Sequence, residues 1–349
     1  MEYQQIKRTG LKIPPIIFGT SALGNLYAEL SDYTKEHIVR ECIRNLTPPV
    51  AFDSAGKYGA GLALEVLGEN LRTLGVSPQN VIISNKLGWY RTRLTGSEPT
   101  FEPGAWIGLK NDAEQRISYD GIIECWEQGN ELLGGNYKPS MVSVHDPDEF
   151  LSAAISETDR MKRFDQIIEA YKALSDLKRD GKVNAIGVGA KNWKIIRAIA
   201  TRVDLDWVMF ANSMTILRHP PELLEFMTEL HRTEIGIINS AVFHAGFLTG
   251  GRFFDYVPIQ PDSSENIAFF EWRKKFFSVC EEFRVHPAQA CISFAMTPPG
   301  VISIALNTSD PDRVKENVTA VTTKVPTEFW EEMIKREILD ASFPYLPRK

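Results

Sequence analysis

The sequence predicts an α/β fold: a closed (β/α)8 barrel forming one domain over residues 1–349. Three observations lead there. Eight short apolar runs rich in Val and Ile recur along the chain, longer amphipathic stretches alternate with them almost uniformly, and no Gly/Ser-rich or Pro-rich linker divides the whole. A length of 349 residues suits one barrel as well as two average domains. An open, doubly wound sheet shares the alternation and is the structural alternative, but no Gly-x-Gly-x-x-Gly segment follows a strand candidate, which counts against a dinucleotide-binding sheet.

The strand candidates are Ile16–Phe18, Val50–Phe52, Val81–Ser84, Met141–Val144, Ala185–Val188, Trp207–Phe210, Ile235–Ile238 and Val301–Leu306. Between them lie helical patterns such as Phe164–Leu177, where Phe164, Ile167, Ile168, Tyr171, Leu174 and Leu177 form one stripe and Gly181 marks the end. Ile6–Ile13, turning at Thr9-Gly10, predicts a small β-hairpin that covers a barrel end. Two long irregular stretches, Trp89–Arg116 and Arg252–Glu265, follow the third and seventh strands. They are therefore expected on the C-terminal face, where barrel active sites are built. The first contains Trp89, Tyr90, Arg91, Arg93, Phe101 and Trp106, a mixture suited to stacking on and hydrogen-bonding a polar ligand such as a sugar.

Composition narrows the function. With 43% hydrophobic and 24% charged residues the chain can bury a large core, and its net charge of -6 offers no basic surface to nucleic acid or an anionic membrane. A small-molecule partner is expected. The opening residues carry no secretory pattern and no apolar run spans a bilayer, so the expected location is the cytoplasm. Cys42, Cys125, Cys280 and Cys291 are widely separated and are read as structural thiols; no metal site is expected. The sequence leaves the oligomeric state open.

The chemistry is concentrated where apolar strands abruptly end in polar residues. Asp53, Lys86 and His145 end the second, third and fourth strands, and Tyr58 follows in the glycine-flanked loop Asp53-Ser-Ala-Gly-Lys-Tyr-Gly59. This set can move a proton at a carbonyl or alcohol oxygen. An ammonium stabilises a neighbouring phenolate, so Lys86 is expected to lower the pKa of Tyr58; Asp53 keeps that lysine charged, and His145 orients or polarises the substrate oxygen.

With these pieces in view the chain resembles the aldo-keto reductases over essentially its full length. The resemblance rests on Phe18-Gly-Thr20, Phe52-Asp-Ser-Ala-Gly-Lys-Tyr-Gly59 with Leu67-Gly68, Ser84-Asn-Lys-Leu-Gly88, Val144-His-Asp-Pro147, Ala185-Ile-Gly-Val188, Gly246-Phe-Leu-Thr-Gly250 and Arg313-Val-Lys-Glu-Asn317. It implies the TIM-barrel architecture and a catalytic tetrad of Asp53, Tyr58, Lys86 and His145. It also implies hydride transfer with NAD or NADP, with Tyr58 as acid in reduction and base in oxidation. Ile117-Ser-Tyr-Asp-Gly-Ile-Ile123 and Ser143-Val-His-Asp-Pro-Asp148 resemble the aldose 1-dehydrogenase branch, which implies oxidation of a free aldose of the L-fucose, D-arabinose or L-galactose type at C1 to the lactone. Trp89, Arg91 and Asp148 are the candidate substrate contacts.

The cofactor residues implied are Gly19, Thr20, Asn192, Asn212, Phe243, Leu248, Asn307, Arg313, Glu316 and Asn317. Many family members place Ser-Asn after the fifth strand for the nicotinamide carboxamide, whereas here the segment reads Gly187-Val-Gly-Ala-Lys-Asn192, leaving Asn192 and Asn212 as the amide partners. Phe243 is the candidate for stacking on the nicotinamide, and Glu316 and Asn317 for the adenine. Where a lysine commonly grips the 2′-phosphate this chain has Asn307, so NAD is favoured and NADP is tolerated through Arg313. The alternatives are an NADPH-dependent aldehyde or ketone reductase, a non-catalytic cofactor-binding barrel subunit, and a lyase using Lys86 as a Schiff base.

Overall fold

A computed structural model describes residues 2–346; Met1 and residues 347–349, the ends of the expected 1–349 domain, lie outside the described residues. The chain opens with the antiparallel hairpin β1 (Gln4–Ile6) and β2 (Leu11–Ile13). It continues through β3 (Ile16–Gly19), α1 (Asp32–Asn45), β4 (Val50–Ala55), α2 (Leu62–Thr73) and β5 (Val81–Leu87). A second hairpin, β6 (Trp89–Arg93) with β7 (Asn111–Gln115), precedes α3 (Tyr119–Leu132), β8 (Met141–His145), α4 (Pro147–Ser152), α5 (Glu157–Arg179) and β9 (Ala185–Ala190). Then come α6 (Trp193–Ala200), β10 (Trp207–Ala211), α7 (Pro221–Arg232) and β11 (Gly236–Ser240). The two-residue strands β12 (Phe253–Phe254) and β13 (Val257–Pro258) lead to α8 (Ile267–Phe283), α9 (Pro287–Ala295), β14 (Val301–Asn307), α10 (Asp312–Thr322) and α11 (Thr327–Lys335).

Eight parallel strands close into a barrel in the order β3-β4-β5-β8-β9-β10-β11-β14, β14 returning to β3, so the predicted (β/α)8 architecture is the one observed. Each of the eight strand candidates coincides with one of these strands, Ile235 alone lying one residue ahead of β11, and the helix expected at Phe164–Leu177 is the C-terminal part of the 23-residue α5, extended upstream to the Ser156 cap.

Strand alternation decides what faces the barrel interior. On β4, Val50 and Phe52 pack outward with the α2 residues Leu64 and Leu67, while Ala51 joins Ile17, Ile82, Met141, Ala185 and Trp207 inside. The hairpin residues Ile6 and Ile13 belong to that inner cluster, so the hairpin plugs the N-terminal end as expected. On the same inward rows, the next residues along β4, β5 and β8 are Asp53, Ser84, Lys86, Ser143 and His145, all buried. The barrel is thus apolar at its base and polar toward its C-terminal mouth.

The two stretches expected to be irregular are partly regular. Trp89 pairs with Gln115 and Arg93 with Asn111 in an antiparallel ribbon, and Phe253–Pro258 folds as a miniature hairpin. Both lie after barrel strands, as predicted; their polar and aromatic composition concealed the period-two pattern. Among the described residues no helix is long and apolar enough to cross a membrane.

Candidate active site

The Lys86 ammonium and the Asp53 carboxylate form an ion pair in which each side chain is 5% exposed. Parallel pairing sets Ala55 against Lys86 and Asp53 against Ser84, so the two reach each other diagonally across one strand gap. Burial on its own drives the proton off a lysine; the Asp53 charge and the Tyr58 oxygen reverse this, holding the Lys86 pKa above the ordinary lysine value.

Tyr58 enters from the loop between β4 and α2. That loop crosses the short 3-10 turn Ser21–Gly24 at a backbone contact with no room for side chains: a Cβ on Gly59 would lie 2.4 Å from the Gly24 carbonyl oxygen, and Gly59 has φ +62°. The close crossing brings the Tyr58 ring to 4.6 Å from the Lys86 Nζ and 5.5 Å from the His145 ring, edge to face. The four residues expected from the sequence are therefore brought together.

Their electrostatics differ from expectation in one respect. Burial raises the Tyr58 pKa above 10.0 by more than the Lys86 ammonium lowers it, and the Asp53 charge adds to the rise. The expected lowering is corrected: a phenol removed from water resists ionisation, and the lysine facing it is already engaged by a carboxylate. His145 is pushed well below the usual histidine value, first by burial and then by Lys86 and Lys57, so it stands as a neutral imidazole. Its Nδ1 is buried without a partner.

Lys57 joins the site without a pattern in the sequence to mark it. It is buried, and its Nζ lies 2.8 Å from Glu102 Oε1, 2.8 Å from Glu149 Oε2 and 3.4 Å from Asp146 Oδ2. These carboxylates bind the β6–β7 connection and the start of α4 to the Tyr58 loop. The only signal was a lysine inside a glycine-flanked apolar turn; its partners are 45 to 92 positions away in the chain, beyond any local pattern. Lys191 extends the network, donating to Glu149 Oε1 at 2.7 Å and standing 5.2 Å from the Tyr256 ring.

Several of the expected ligand residues have partners within the chain itself. The Arg91 guanidinium donates to the Ala60 carbonyl at 2.6 Å and to Glu65 at 2.9 Å, so it ties the hairpin to α2. Asp148 Oδ2 accepts from the backbone N–H groups of Lys191 and Asn192, closing the β9–α6 turn. Asn192 caps α6, its side-chain oxygen accepting from Lys194 N–H, and is exposed. Leu248 is fully buried in the core, and the half-buried Trp89 packs on Phe101 with its indole N–H unpartnered. In each case a side chain found a backbone or core partner, which a linear sequence does not display.

Other candidates lie along the mouth. Thr20 donates its hydroxyl to the Asp53 carbonyl at 3.1 Å, and Gly19 pairs with Asn307 where β3 meets β14. Asn212, at the end of β10 with φ +56°, is buried with its Oδ1 unpartnered. Phe243 is half-buried between two core clusters. Arg313, Glu316 and Asn317 lie on α10, with the Arg313 side chain 69% exposed and 3.6 Å from Asp310. Among the described residues no cluster of three or more His, Cys, Asp or Glu is placed to hold a metal.

Residues 15–337 match the family model described as the Aldo/keto reductase family. The chain is 27% identical to a pyridoxal 4-dehydrogenase of Microbacterium luteolum over 94% of its own length and 95% of the relative's. It is 24% identical to a D-threo-aldose 1-dehydrogenase of Pseudomonas sp, covering 95% and 96%. Among solved structures it superposes on a holo aldo-keto reductase from Bacillus halodurans with a TM-score of 0.70 at 18% identity, covering 100% of both chains. With the family match running over nearly the whole barrel, this chain belongs to the aldo/keto reductase family of NAD(P)-using oxidoreductases.

Proposed function

We propose that the protein is an NAD(P)-dependent dehydrogenase that oxidises a free aldose at C1 to the lactone. The observation that carries this reading is the buried Asp53–Lys86 pair facing Tyr58 beside a neutral His145, in a chain similar end to end to two dehydrogenases of aldehyde-level carbons. An aldose closes on its own hydroxyl to a cyclic hemiacetal, and pyridoxal can close likewise on its neighbouring hydroxymethyl. The reacting carbon then carries one hydrogen to leave as hydride and one hydroxyl proton to surrender.

The residues present fit a nicotinamide cofactor. Asn212 offers a buried carbonyl oxygen without a partner, suited to an amide N–H₂ donor, with Gly19, Thr20 and Phe243 at the same mouth. Asn307, Arg313, Glu316 and Asn317 are the residues for the adenosine end; an Asn in place of a lysine favours NAD. When bound, the nicotinamide supplies the hydride acceptor. Tyr58 in its phenolate form, whose negative charge Lys86 stabilises, takes the C1 hydroxyl proton and becomes a neutral phenol as the C1–H electron pair leaves and the C=O bond forms, while neutral His145 hydrogen-bonds the substrate oxygen.

A second reading, aldehyde reduction, is favoured by one observation: with its pKa raised, Tyr58 is a phenol at neutral pH and already a proton donor. The test is the reduced-nicotinamide absorbance with NAD or NADP and a panel of L-fucose, D-arabinose, L-galactose and pyridoxal, repeated with Tyr58→Phe. Sugar-dependent reduction of cofactor that disappears in the variant supports the dehydrogenase; oxidation of NADPH by simple aldehydes, with silence on every sugar, replaces it with a reductase.

A further inference from the structure

We propose that Lys57 is a positioning residue of this site: its ammonium engages the Asp146 carboxylate and so leaves His145 free to hydrogen-bond the substrate oxygen. The proposal rests on the reading of His145 given above.

Asp146 Oδ2 lies 3.4 Å from Lys57 Nζ and 3.4 Å from His145 Nε2, so one oxygen is contested by two side chains. The contest is built into the backbone. Asp146 follows the last residue of β8 and has φ +45°, a left-handed conformation in which few non-glycine residues persist without surrounding support. Lys57 supplies that support from the loop carrying Tyr58, and it is fixed there by Glu102 and Glu149 at 2.8 Å each.

The groups facing His145 are Lys86 on β5, Lys57 and Tyr58 on the β4–α2 loop, Asp146 and Glu149 at the start of α4, and Lys191 beyond β9. Three ammonium groups oppose protonation of the imidazole, and Asp146 is the carboxylate within reach of it. With Lys57 in place, Asp146 has a cation and needs no second one. Without Lys57, the group closest to the Asp146 oxygen is His145 Nε2 at 3.4 Å, with the Lys191 ammonium acting on the carboxylate from farther away. His145 then takes up a proton and turns its Nε2–H onto the carboxylate, away from the substrate.

The experiment is a histidine NMR titration of the full-length protein, with the His145 signal assigned by its loss in His145→Gln. It compares wild type, Lys57→Met, Lys57→Arg and the double variant Lys57→Met/Asp146→Asn. In wild type and Lys57→Arg, His145 is expected to titrate on the acid side of an ordinary histidine. In Lys57→Met its titration moves up by about one unit or more, and the double variant returns it to the wild-type position. In turnover, Lys57→Met gains an acid limb in kcat that is absent from wild type and from the double variant.

A His145 signal unmoved by Lys57→Met, or equally displaced in the double variant, overturns the proposal. If Lys57→Met fails to fold by near-ultraviolet circular dichroism, Lys57→Met/Glu102→Gln removes a carboxylate together with the cation and takes its place. The titration needs no substrate, so a protein inactive on every sugar sinks the dehydrogenase reading while the behaviour of His145 still decides the role of Lys57.

Discussion

The Lys86 ammonium stands 4.6 Å from the centre of the Tyr58 ring, yet Tyr58 remains harder to ionise than a tyrosine in water because burial outweighs that charge. The sign sets the pH dependence. Oxidation needs the proton-accepting form of Tyr58, which becomes populated only as pH rises through a value above 10.0; reduction needs the phenol, present at all lower pH. The oxidation rate is therefore expected to climb through pH 9 and 10 while the reduction rate stays level and falls only beyond that range. Lys86→Met deletes the lowering influence and moves the oxidation limb further alkaline. Initial rates in both directions against pH check this, and an oxidation plateau near neutrality contradicts it.

Removing the proton carrier itself gives the largest effect. Tyr58→Phe keeps the ring that packs on Trp106 at 5.9 Å and on His145, so the fold should persist. The turnover is expected to fall by about 100- to 10,000-fold, the range for loss of a general acid or base. A variant within tenfold of wild type assigns the proton to another group.

Asn212 tests the cofactor reading. Asn212→Ala removes the unpartnered amide oxygen, and the dissociation constant for the nicotinamide cofactor should rise about 3- to 10-fold, the worth of one hydrogen bond. Fluorescence titration measures it. Equal affinity in the variant would move the carboxamide contact elsewhere.

His145 makes stability pH-dependent. Its folded pKa is depressed below 6.5, so the unfolded chain takes up the proton first on acidification; the stability it contributes is present above about pH 6.5 and is lost as pH falls toward the folded value. His219, lowered chiefly by burial, acts in the same direction. The melting temperature should fall from pH 7 to pH 5 less steeply in His145→Gln than in wild type. Parallel profiles for the two proteins would remove His145 from the account.

Arg91 separates scaffold from substrate contact. Arg91→Ala loses donors to Ala60 and Glu65 and should cost about 1–2 kcal/mol of stability, below the upper range for charged hydrogen bonds because Glu65 is half in solvent. The KM for sugar is expected to stay within about twofold. A large KM effect at unchanged melting temperature would assign Arg91 to the substrate site.

Local pattern alone determined the barrel, because each strand and helix announces itself by a period of two or 3.6 residues. It also determined the polar strand ends Asp53, Lys86 and His145, since charged residues interrupting apolar strands need a reason to be there. What only the tertiary structure decided are the partners. Asp148 turned to backbone N–H groups, Arg91 to a carbonyl and Asn192 to a helix cap, because an unsatisfied donor or acceptor takes the nearest complement the fold provides. Lys57 was illegible for the same reason: it is buried only because three carboxylates from distant segments converge on it, and that convergence exists only once the barrel has closed.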